Sequence, residues 1–464
     1  MAAVSTRSYL DMPGLDRVKT IVIVMMENRS FDHMLGYLGL PPYDYKDIDG
    51  QKPDAAWLDR FTNSDAIAGP VQPFAHNDPY KLPPNFDPPH QRSDVAKHLG
   101  TTEGGSFLMN GFVSALPTTV SSSPIDRRLV MGYFGADEAP INHFFASHFT
   151  ICDRWFCSLP AGTQANRLMA MSGMSLIDVN RFPLPPQELV YDWLTAHNVN
   201  WCVYHQGIPF FSMMFKWIPE ILLSKRFRPF HNFQADMANT PPGQRPEVIF
   251  IEPVYGDAPH LGRCTDDHAP SGISDGQEFL MQVYNAVRAS LSFWRDCLLI
   301  ISYDEHGGFF DHVSPPLIPT EPPAAVDYPR FESLGIRVPG FIVSPYVKRS
   351  VAHNLFDHTS VLKVLGEKFG NGSYSPAVDA RPVESISAAL DDSDPILNPP
   401  GAPPVDVYLS QRPPAPTMAT VPEPDSSLKK AFRMAINEMK KQGADENHPK
   451  FGPLLQQVPN TEIT

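Results

Sequence analysis

The sequence has few cysteines, a deficit of positive charge and no long apolar run. Its 464 residues include 37 Lys and Arg against 51 Asp and Glu, a formal net charge of −14. Surfaces that bind DNA or RNA need clustered Lys and Arg, and anionic bilayers attract basic segments. The charge balance therefore argues against a nucleic-acid partner and against general attraction to anionic membranes.

The five cysteines are scattered and include no CxxC pair, so neither a disulfide framework nor a thiolate zinc knuckle is expected. No stretch approaches the roughly 18–20 apolar residues of a membrane span, and residues 1–20 contain no apolar core typical of a secretory signal. We expect a cytoplasmic protein without a transmembrane segment. Unorthodox export, action at a membrane surface and the oligomeric state stay open.

Short, continuous apolar runs alternate with helical patterns along the first 370 residues. Continuous apolarity is typical of strands in a parallel sheet that helices cover on both faces, so the pattern predicts an α/β fold. The predicted strands are Ile21–Met26, Trp201–Tyr204, Val248–Ile251, Leu298–Tyr303 and Phe341–Ser344. The predicted helices are Arg167–Ser175, Pro186–His197 and Ser274–Phe293. The region Gly39–Gly104 shows little periodicity and is interpreted as a long excursion that covers the site.

Proline supports a division of the chain near residue 370. Of 50 prolines, 12 fall within residues 374–424, which predicts an extended strap. An amphipathic helix follows, beginning at Asp425 or Ser426 and ending before Gly443. We expect a catalytic domain over residues 1–370, and the strap with its amphipathic helix over residues 371–464.

Polar residues follow two of the predicted strands directly. Glu27 and Asn28 come after the first strand, and Asp304 and Glu305 come after Leu298–Tyr303. The carboxyl ends of parallel strands meet at one edge of a sheet, where ligands bind. Carboxylates gathered there would repel one another unless a cation neutralised them, which indicates a divalent metal ion: Mg²⁺, Ca²⁺, Mn²⁺ or Zn²⁺. Helix capping after each strand is an equally good explanation of these residues.

A turn of small residues precedes one predicted helix. Thr163 lies where the unpaired N–H groups of a helix start favour a phosphate-like anion, and its hydroxyl becomes a nucleophile once its proton is removed. Asn166 and Arg167, one turn further on, are candidates to bind substrate oxygens. Taken alone, the segment is explained better by a simple threonine cap.

Five motifs occur in a fixed order, and together they resemble the phosphoesterase family that contains bacterial and plant non-specific phospholipases C and the acid phosphatase A group. The motifs are Glu-Asn-Arg-Ser-Phe-Asp at 27–32, Asp-Arg-Trp-Phe at 153–156, Gly-Thr-Gln-Ala-Asn-Arg at 162–167, Asp-Asp-His at 266–268 and Asp-Glu-His-Gly-Gly-Phe-Phe-Asp-His-Val at 304–313. The resemblance covers roughly residues 18–370. It implies an alkaline-phosphatase-like α/β/α fold, a bound metal ion and a Ser or Thr nucleophile.

The resemblance also implies roles for individual residues. The implied metal ligands are Glu27, Asn28, Asp304, Glu305 and the nucleophile Thr163 itself. Its implied active-site histidines are His268 and His90. His205, which closes a predicted strand, is a further catalytic candidate from the residues alone. The chain departs from the family pattern at Ala165, where proline is common, and at Phe86, where a histidine is common.

These assignments predict a two-step phosphoesterase reaction through a covalent phospho-threonine on Thr163. The favoured substrate is a glycerophospholipid with a phosphatidylcholine-like headgroup, because an acidic chain is expected to bind anionic lipid weakly. The alternative functions are a broad acid phosphatase that acts on phosphomonoesters and an inactive metal-binding interaction module. A choline headgroup favours aromatic faces near the site. The candidates for that contact are Tyr133, Phe134, Trp155, Phe156, Phe309 and Phe310, which core packing explains equally well.

Overall fold

The computed structural model describes residues 14–43, 45–78, 82–83, 86–117, 126–391, 395–403 and 426–456. The strands, in chain order, are β1 Thr20–Met26, β2 Asn63–Asp65, β3 Gly69–Val71, β4 Phe74–Ala75, β5 Thr102–Glu103, β6 Ser106–Phe107, β7 Gly132–Tyr133, β8 Thr150–Cys152, β9 Trp201–His205, β10 Phe227–Pro229, β11 Val248–Glu252, β12 Cys297–Tyr303, β13 Gly340–Val343 and β14 Ser350–Ala352.

The α-helices of this described part are α1 Gly14–Arg17, α2 Phe31–Leu35, α3 Ala55–Arg60, α4 Arg92–Leu99, α5 Phe112–Ala115, α6 Pro140–His148, α7 Thr163–Ser172, α8 Val190–Ala196, α9 Ile218–Leu223, α10 Phe233–Asn239, α11 Ser274–Arg288, α12 Leu291–Asp296, α13 Thr359–Phe369, α14 Pro376–Asp379, α15 Ser427–Lys441 and α16 Gly452–Leu455. Among these residues, none of the helices combines the length and the apolarity that crossing a membrane requires.

Eight strands form the central sheet, in the order β10-β9-β11-β1-β12-β13-β8-β14. All neighbouring pairs are parallel except the two that β13 makes, with β12 and β8. The five predicted strands are present within one residue of their expected ends, and their residues are buried almost without exception. The predicted α/β class with a mostly parallel sheet is confirmed.

Helices cover both faces of this sheet, and two residues of β9 demonstrate it. Trp201 stacks on Tyr191 of α8 with ring centroids 4.7 Å apart. Tyr204, three residues along and so on the opposite face, packs against Phe233 of α10 at 5.0 Å. Apolar side chains therefore leave the strands in both directions, which is why the strand sequences are continuously apolar.

All three helix predictions differ from the structure in their bounds. The helix predicted over Pro186–His197 is α8 and spans only Val190–Ala196. The stretch predicted as one helix, Ser274–Phe293, is two helices, because α11 ends at Arg288 and α12 begins at Leu291. Leu291, which extended the i+4 pattern, is 47% exposed and does not belong to the buried stripe. The helix predicted from Arg167 begins four residues earlier, at Thr163, after Gly162 as the cap residue.

The excursion Gly39–Gly104 contains more structure than its sequence predicts. It forms α3, α4 and short strand pairs, and with neighbouring segments it builds a separate apolar cluster that includes Trp57, Val95 and Leu99. Phe309 and Phe310, which follow β12, pack in the same cluster. The excursion is therefore anchored onto the end of a central strand.

The amphipathic helix near the C-terminus is present as α15, and Ser426 is its cap residue, accepting a hydrogen bond from Lys429 N at 3.0 Å. Its apolar side chains, including Leu428, Phe432 and Ile436, are buried in the main core cluster. Of the predicted strap, residues 392–394 and 404–425 lie outside the described residues. The division of the chain into two domains at residue 370 stays a prediction.

Candidate active site

The end of β1 meets the end of β12 at the middle of the sheet. Met26 pairs in register with Tyr303, so the residues that follow them, Glu27 and Asp304, emerge side by side. Asn28 has a left-handed backbone, with φ of 60°, a conformation that asparagine tolerates better than most residues. Its N–H donates to Asp304 Oδ1 at 3.2 Å, which joins the two strand ends.

Two glycines allow three chain segments to converge here. Gly307 has φ of 65°, and a Cβ on it would lie 2.1 Å from the carbonyl oxygen of Asn28. Gly308 has φ of 75°, and a Cβ on it would lie 2.6 Å from Pro88 Cβ. Because no side chain fits at either position, the turn after β12 can lie directly against Asn28 and against the segment that carries His90.

Arg167 connects α7 to both strand ends. Its Nε donates to Asp304 Oδ2 at 3.1 Å, and its Nη2 lies 3.1 Å from Glu27 Oε1. Both carboxylates are fully buried and Arg167 is 4% exposed. In the structure this predicted substrate-binding residue is ion-paired inside the protein, and its contact with substrate stays a prediction.

The predicted nucleophile lies four residues before Arg167 in the same helix. Residues four apart in a helix are neighbours on one face, so Thr163 lies on the same face of α7 as Arg167. Its Oγ1 is buried and has no hydrogen-bond partner within the described part of the protein. The cap residue is Gly162, so the simple explanation of Thr163 as a capping hydroxyl does not describe this helix.

Asn166, the other predicted substrate-binding residue, holds the turn before α7. Its Oδ1 accepts from Leu159 N at 3.0 Å, and its Nδ2 donates to the carbonyl oxygens of Leu159 and Ala161 at 3.1 and 2.8 Å. These bonds fix the turn that presents Thr163. A direct contact between Asn166 and substrate stays a prediction.

His268 and His90 lie together at this edge, with ring centroids 5.7 Å apart. His268 Nδ1 is 3.1 Å from Glu27 Oε2, and its Nε2 is 2.8 Å from Asn28 Nδ2. His90 Nε2 is 3.8 Å from Glu305 Oε1. The two histidines predicted from the motifs are thus gathered with three of the predicted metal ligands.

His205 lies apart from this cluster. Its Nδ1 is 2.7 Å from the carbonyl oxygen of Gly207, and its ring stacks on Phe451 at 5.2 Å. Burial lowers the pKa of His205 to about 4, so the ring is neutral at physiological pH. The catalytic role expected from its position at the end of β9 stays a prediction.

Buried carboxylates at this edge of the sheet shift the pKa values of His268 and Asp304. Burial by itself lowers the pKa of His268, but the nearby carboxylates of Asp87, Glu27 and Asp257 outweigh burial and raise it well above its usual value. Burial, together with the charges of Glu27 and Glu305, raises the pKa of Asp304 to about 7. Arg167 alone therefore does not compensate the carboxylates of the site, and the environment favours a further cation.

Several buried oxygen atoms are suited to hold that cation. Asn28 Oδ1, Glu305 Oε1 and Thr163 Oγ1 accept no hydrogen bond from any described residue, and neither does Glu27 Oε1, although Arg167 Nη2 is close to it. An oxygen-only set is what Mg²⁺, Ca²⁺ and Mn²⁺ prefer. Asp304 differs, because its Oδ1 accepts from Asn28 N and Glu305 N and its Oδ2 accepts from Arg167. Its role as a ligand stays a prediction.

Two further groups at this edge have atoms spaced as metal ligands. They are Glu27, Asp266 and His268, and Asp87, His90 and His268, with the candidate ligand atoms of each group within 4.8 Å of one another. Asp266 lies in the Asp-Asp-His motif, but only its histidine was selected from the sequence. Asp257, whose Oδ2 is 3.5 Å from His268 Nδ1, belongs to no motif and was missed.

The aromatic residues considered for a choline headgroup are core residues in the structure. Phe134, Trp155, Phe156, Phe309 and Phe310 are each no more than 2% exposed. Tyr133 is half-buried and packs against the main core cluster. Core packing, the alternative that the sequence left open, accounts for them.

Comparison with known proteins decides the family. Residues 18–371 match the model of the Phosphoesterase family. The chain belongs to that family. It is therefore a phosphoesterase, a hydrolase of phosphate esters, and the resemblance drawn from the five motifs is confirmed.

Relatives from plants and bacteria share sequence over most of the chain. Non-specific phospholipase C1 of Arabidopsis thaliana is 30% identical over 387 residues, which are 77% of this chain and 68% of the relative. Phospholipase C B of Mycobacterium tuberculosis is 30% identical over 409 residues, 77% of this chain and 74% of the relative. Among solved structures, a protein in the alkaline phosphatase superfamily from Vibrio parahaemolyticus is a distant likeness, with a TM-score of 0.31 and 9% identity over 66% of this chain and 82% of the other.

A second buried cluster, made of charged side chains, connects the segments that follow the same two strands. Asp32 follows β1, Asp311 and His312 follow β12, and Arg337 precedes β13. Arg337 pairs with Asp32 at 3.2 Å and donates to Asp311 at 2.9 Å, while His312 Nδ1 lies 2.6 Å from Asp32 Oδ2. Asp32 and Asp49 outweigh burial and raise the pKa of His312 to about 9. Arg337 and protonated His312 pair with these carboxylates, so we interpret this cluster as an ionic cross-link.

His312→Gln tests this cross-link through its dependence on pH. Because the folded pKa of about 9 exceeds the ordinary value of 6.5, the stabilisation is complete below pH 6.5 and is lost as pH rises through 9. Such a rise corresponds to roughly 3 kcal/mol of folding free energy. We expect the variant to melt well below the wild type at pH 6.5 and close to it at pH 9.5. Thermal melting of both proteins measures this, with exposed His231→Gln as the control; a melting difference that is the same at both pH values contradicts the assignment.

Proposed function

We propose that this phosphoesterase hydrolyses the phosphodiester of a glycerophospholipid, in the manner of a phospholipase C, through a covalent phospho-threonine on Thr163. The observation that carries the proposal is the buried Oγ1 of Thr163, which has no hydrogen-bond partner among the described residues and lies at the start of α7 on the helix face of Arg167. The relatives named phospholipase C, at about 30% identity, support the substrate class.

In the first step, Thr163 releases its hydroxyl proton to solvent, Oγ1 attacks the phosphorus atom, and the bond between phosphorus and the diacylglycerol oxygen breaks. The positive end of the α7 dipole stabilises the phosphoryl oxygens. His268, held beside Glu27 and Asp257, donates a proton to the departing oxygen. The headgroup phosphate then remains esterified to Thr163.

In the second step, water attacks the phosphorus atom and the bond between phosphorus and Thr163 Oγ1 breaks, which releases the phosphorylated headgroup; Oγ1 takes a proton from solvent and the hydroxyl is regenerated. His268, now without its proton, takes one from the attacking water.

A divalent cation bound by Glu27, Asn28, Glu305 and Thr163 would supply positive charge that lowers the pKa of the Thr163 hydroxyl. Arg167 keeps Glu27 and Asp304 in position throughout.

A zwitterionic lipid of the phosphatidylcholine kind fits the charge of the chain. A net charge of −14 disfavours approach to an anionic bilayer, whereas a neutral bilayer surface opposes it far less. We therefore propose phosphatidylcholine-like substrates, with soluble phosphomonoesters as the competing class.

The substrate class is tested by kinetics on two esters. We expect the wild type to release diacylglycerol from phosphatidylcholine vesicles with a kcat/KM at least about tenfold above that for a soluble aryl phosphate monoester, because a phospholipase site derives transition-state binding from the lipid. Efficient hydrolysis of the aryl phosphate alone would support the acid phosphatase instead. If the protein hydrolyses neither of the two esters, the proposed function is contradicted.

Thr163→Ala tests the nucleophile. We expect kcat to fall by about three orders of magnitude or more, since the covalent route is lost, while the melting temperature changes little because Oγ1 makes no hydrogen bond. Thr163→Ser is the matched control and retains turnover. Acid quenching during turnover, followed by mass spectrometry, should detect a peptide phosphorylated at position 163 in the wild type and in Thr163→Ser but not in Thr163→Ala. Near-normal turnover by Thr163→Ala would refute the assignment.

Removal of metal tests the cation. Exhaustive chelation should abolish turnover and lower the melting temperature, because buried carboxylates lose their counter-charge. Adding back Ca²⁺, Mg²⁺, Mn²⁺ or Zn²⁺ singly should restore both, and elemental analysis of the purified protein identifies the resident ion. Glu305→Gln should reduce the metal content. A chelated protein that keeps both its activity and its melting temperature contradicts this prediction.

A further inference from the structure

The helix α15 lies beyond the segment that matches the family model, which ends at residue 371. Even so, α15 packs in the main core cluster, together with the central strands. Its first two turns contact residues that themselves hold His268 and Arg167.

The first contact is made by the residue that caps α15. Ser426 Oγ lies 3.0 Å from Asp257 Oδ1, and the other oxygen of Asp257 lies 3.5 Å from His268 Nδ1. Ser426 Oγ also accepts from Lys429 N, so its single proton is available for Asp257. Asp257 is only 8% exposed, so this hydroxyl is one of the few groups that can orient its carboxylate.

The second contact is made one and a half turns further along α15. The ring of Phe432 stacks on Tyr255 at 5.7 Å and meets Phe210 edge-on at 5.9 Å. Those two rings flank the guanidinium of Arg167, with Arg167 Cζ 5.0 Å from the Tyr255 ring and 4.6 Å from the Phe210 ring. Tyr255 Oη also accepts from Arg167 Nη1 at 3.2 Å.

We propose that α15 is a positioning part of the active site, in which Ser426 orients Asp257 behind His268 and Phe432 fixes the two rings that hold Arg167. The inference rests on the proposed function, because it assigns these contacts to the reaction of the same site. It makes Ser426 and Phe432 positioning residues; neither of them is expected to touch the substrate.

Two independent contacts support a role in the reaction over simple docking. One contact is polar and the other is aromatic. The first is made with the carboxylate beside the proton donor His268, and the second with the two rings that flank Arg167 of the same site. A hydrogen bond to a carboxylate behind a histidine sets the direction of the ring, and aromatic faces restrict a guanidinium to one plane. Small errors in such positions are sufficient to reduce turnover strongly.

Ser426→Asp and Ser426→Thr distinguish the contact between Ser426 and Asp257 from the role of Ser426 as the cap residue of α15. Aspartate and threonine both cap helices, so both variants preserve the start of α15. Aspartate has no proton to donate and repels Asp257, whereas threonine retains the hydroxyl. We expect kcat on phosphatidylcholine vesicles to fall at least about tenfold in Ser426→Asp with KM changed less than twofold, and Ser426→Thr to stay near the wild type.

Phe432→Ala and Met439→Ala form the matched pair for the second contact. Both side chains are fully buried in α15, but Met439 lies seven residues, or about 10 Å, further along the helix axis. We expect Phe432→Ala to lower kcat at least about tenfold, Phe432→Tyr to restore it, and Met439→Ala to remain within about twofold of the wild type. Equal losses in the two alanine variants would show that α15 acts only through stability and would overturn the proposal.

A measurement independent of turnover keeps the two proposals distinguishable. In nitrogen NMR of the full chain, with the His268 signals assigned by their loss in His268→Gln, we expect Ser426→Asp to shift the ring nitrogens of His268 and Ser426→Thr to leave them unchanged. A wild type that hydrolyses neither ester contradicts the proposed function alone. Unshifted His268 signals, or full activity in Ser426→Asp, overturn the role of α15.

Discussion

The ion pairs of one buried arginine hold the site together. Arg167 reaches from α7 to Glu27 after β1 and to Asp304 after β12, so a single side chain connects a helix with two central strands. A buried guanidinium is costly to desolvate, and it is tolerated here because Asp304 and the Tyr255 hydroxyl accept its hydrogen bonds and Glu27 lies at ion-pair distance. Removing either carboxylate would leave part of that charge uncompensated, which links the geometry of the site to the stability of the fold.

The order of the strands explains why the motifs lie far apart in sequence. β1 is central, with β11 on one side and β12 on the other, so the motifs after residues 26 and 303 become neighbours. The glycines at 307 and 308 then admit Asn28 and the segment of His90 into the same small volume. Each motif supplies a few polar atoms, and only the sheet brings them together.

Much of this arrangement could be predicted from the sequence, and its limits have physical reasons. β1, β9, β11 and β12 are recognisable because strands buried on both faces must be continuously apolar. β8, β10 and β14 have three residues each and no such signature, since their pairing is determined by neighbouring strands. Glu27, Asn28 and Asp304 were identifiable because strand ends have a fixed relation to the sheet. Asp257 and Phe432 were not, because they act through contacts with distant residues that no periodic pattern records.

The central position of β1 also constrains how the protein is made. The strand is synthesised before both of its partners, which begin at Val248 and Cys297. Until the chain extends beyond Val248, Ile21 to Met26 is an apolar segment without either of its partner strands. Such a segment is slow to find its partners and prone to associate with other chains, so nascent and truncated forms of this protein depend on protection from aggregation.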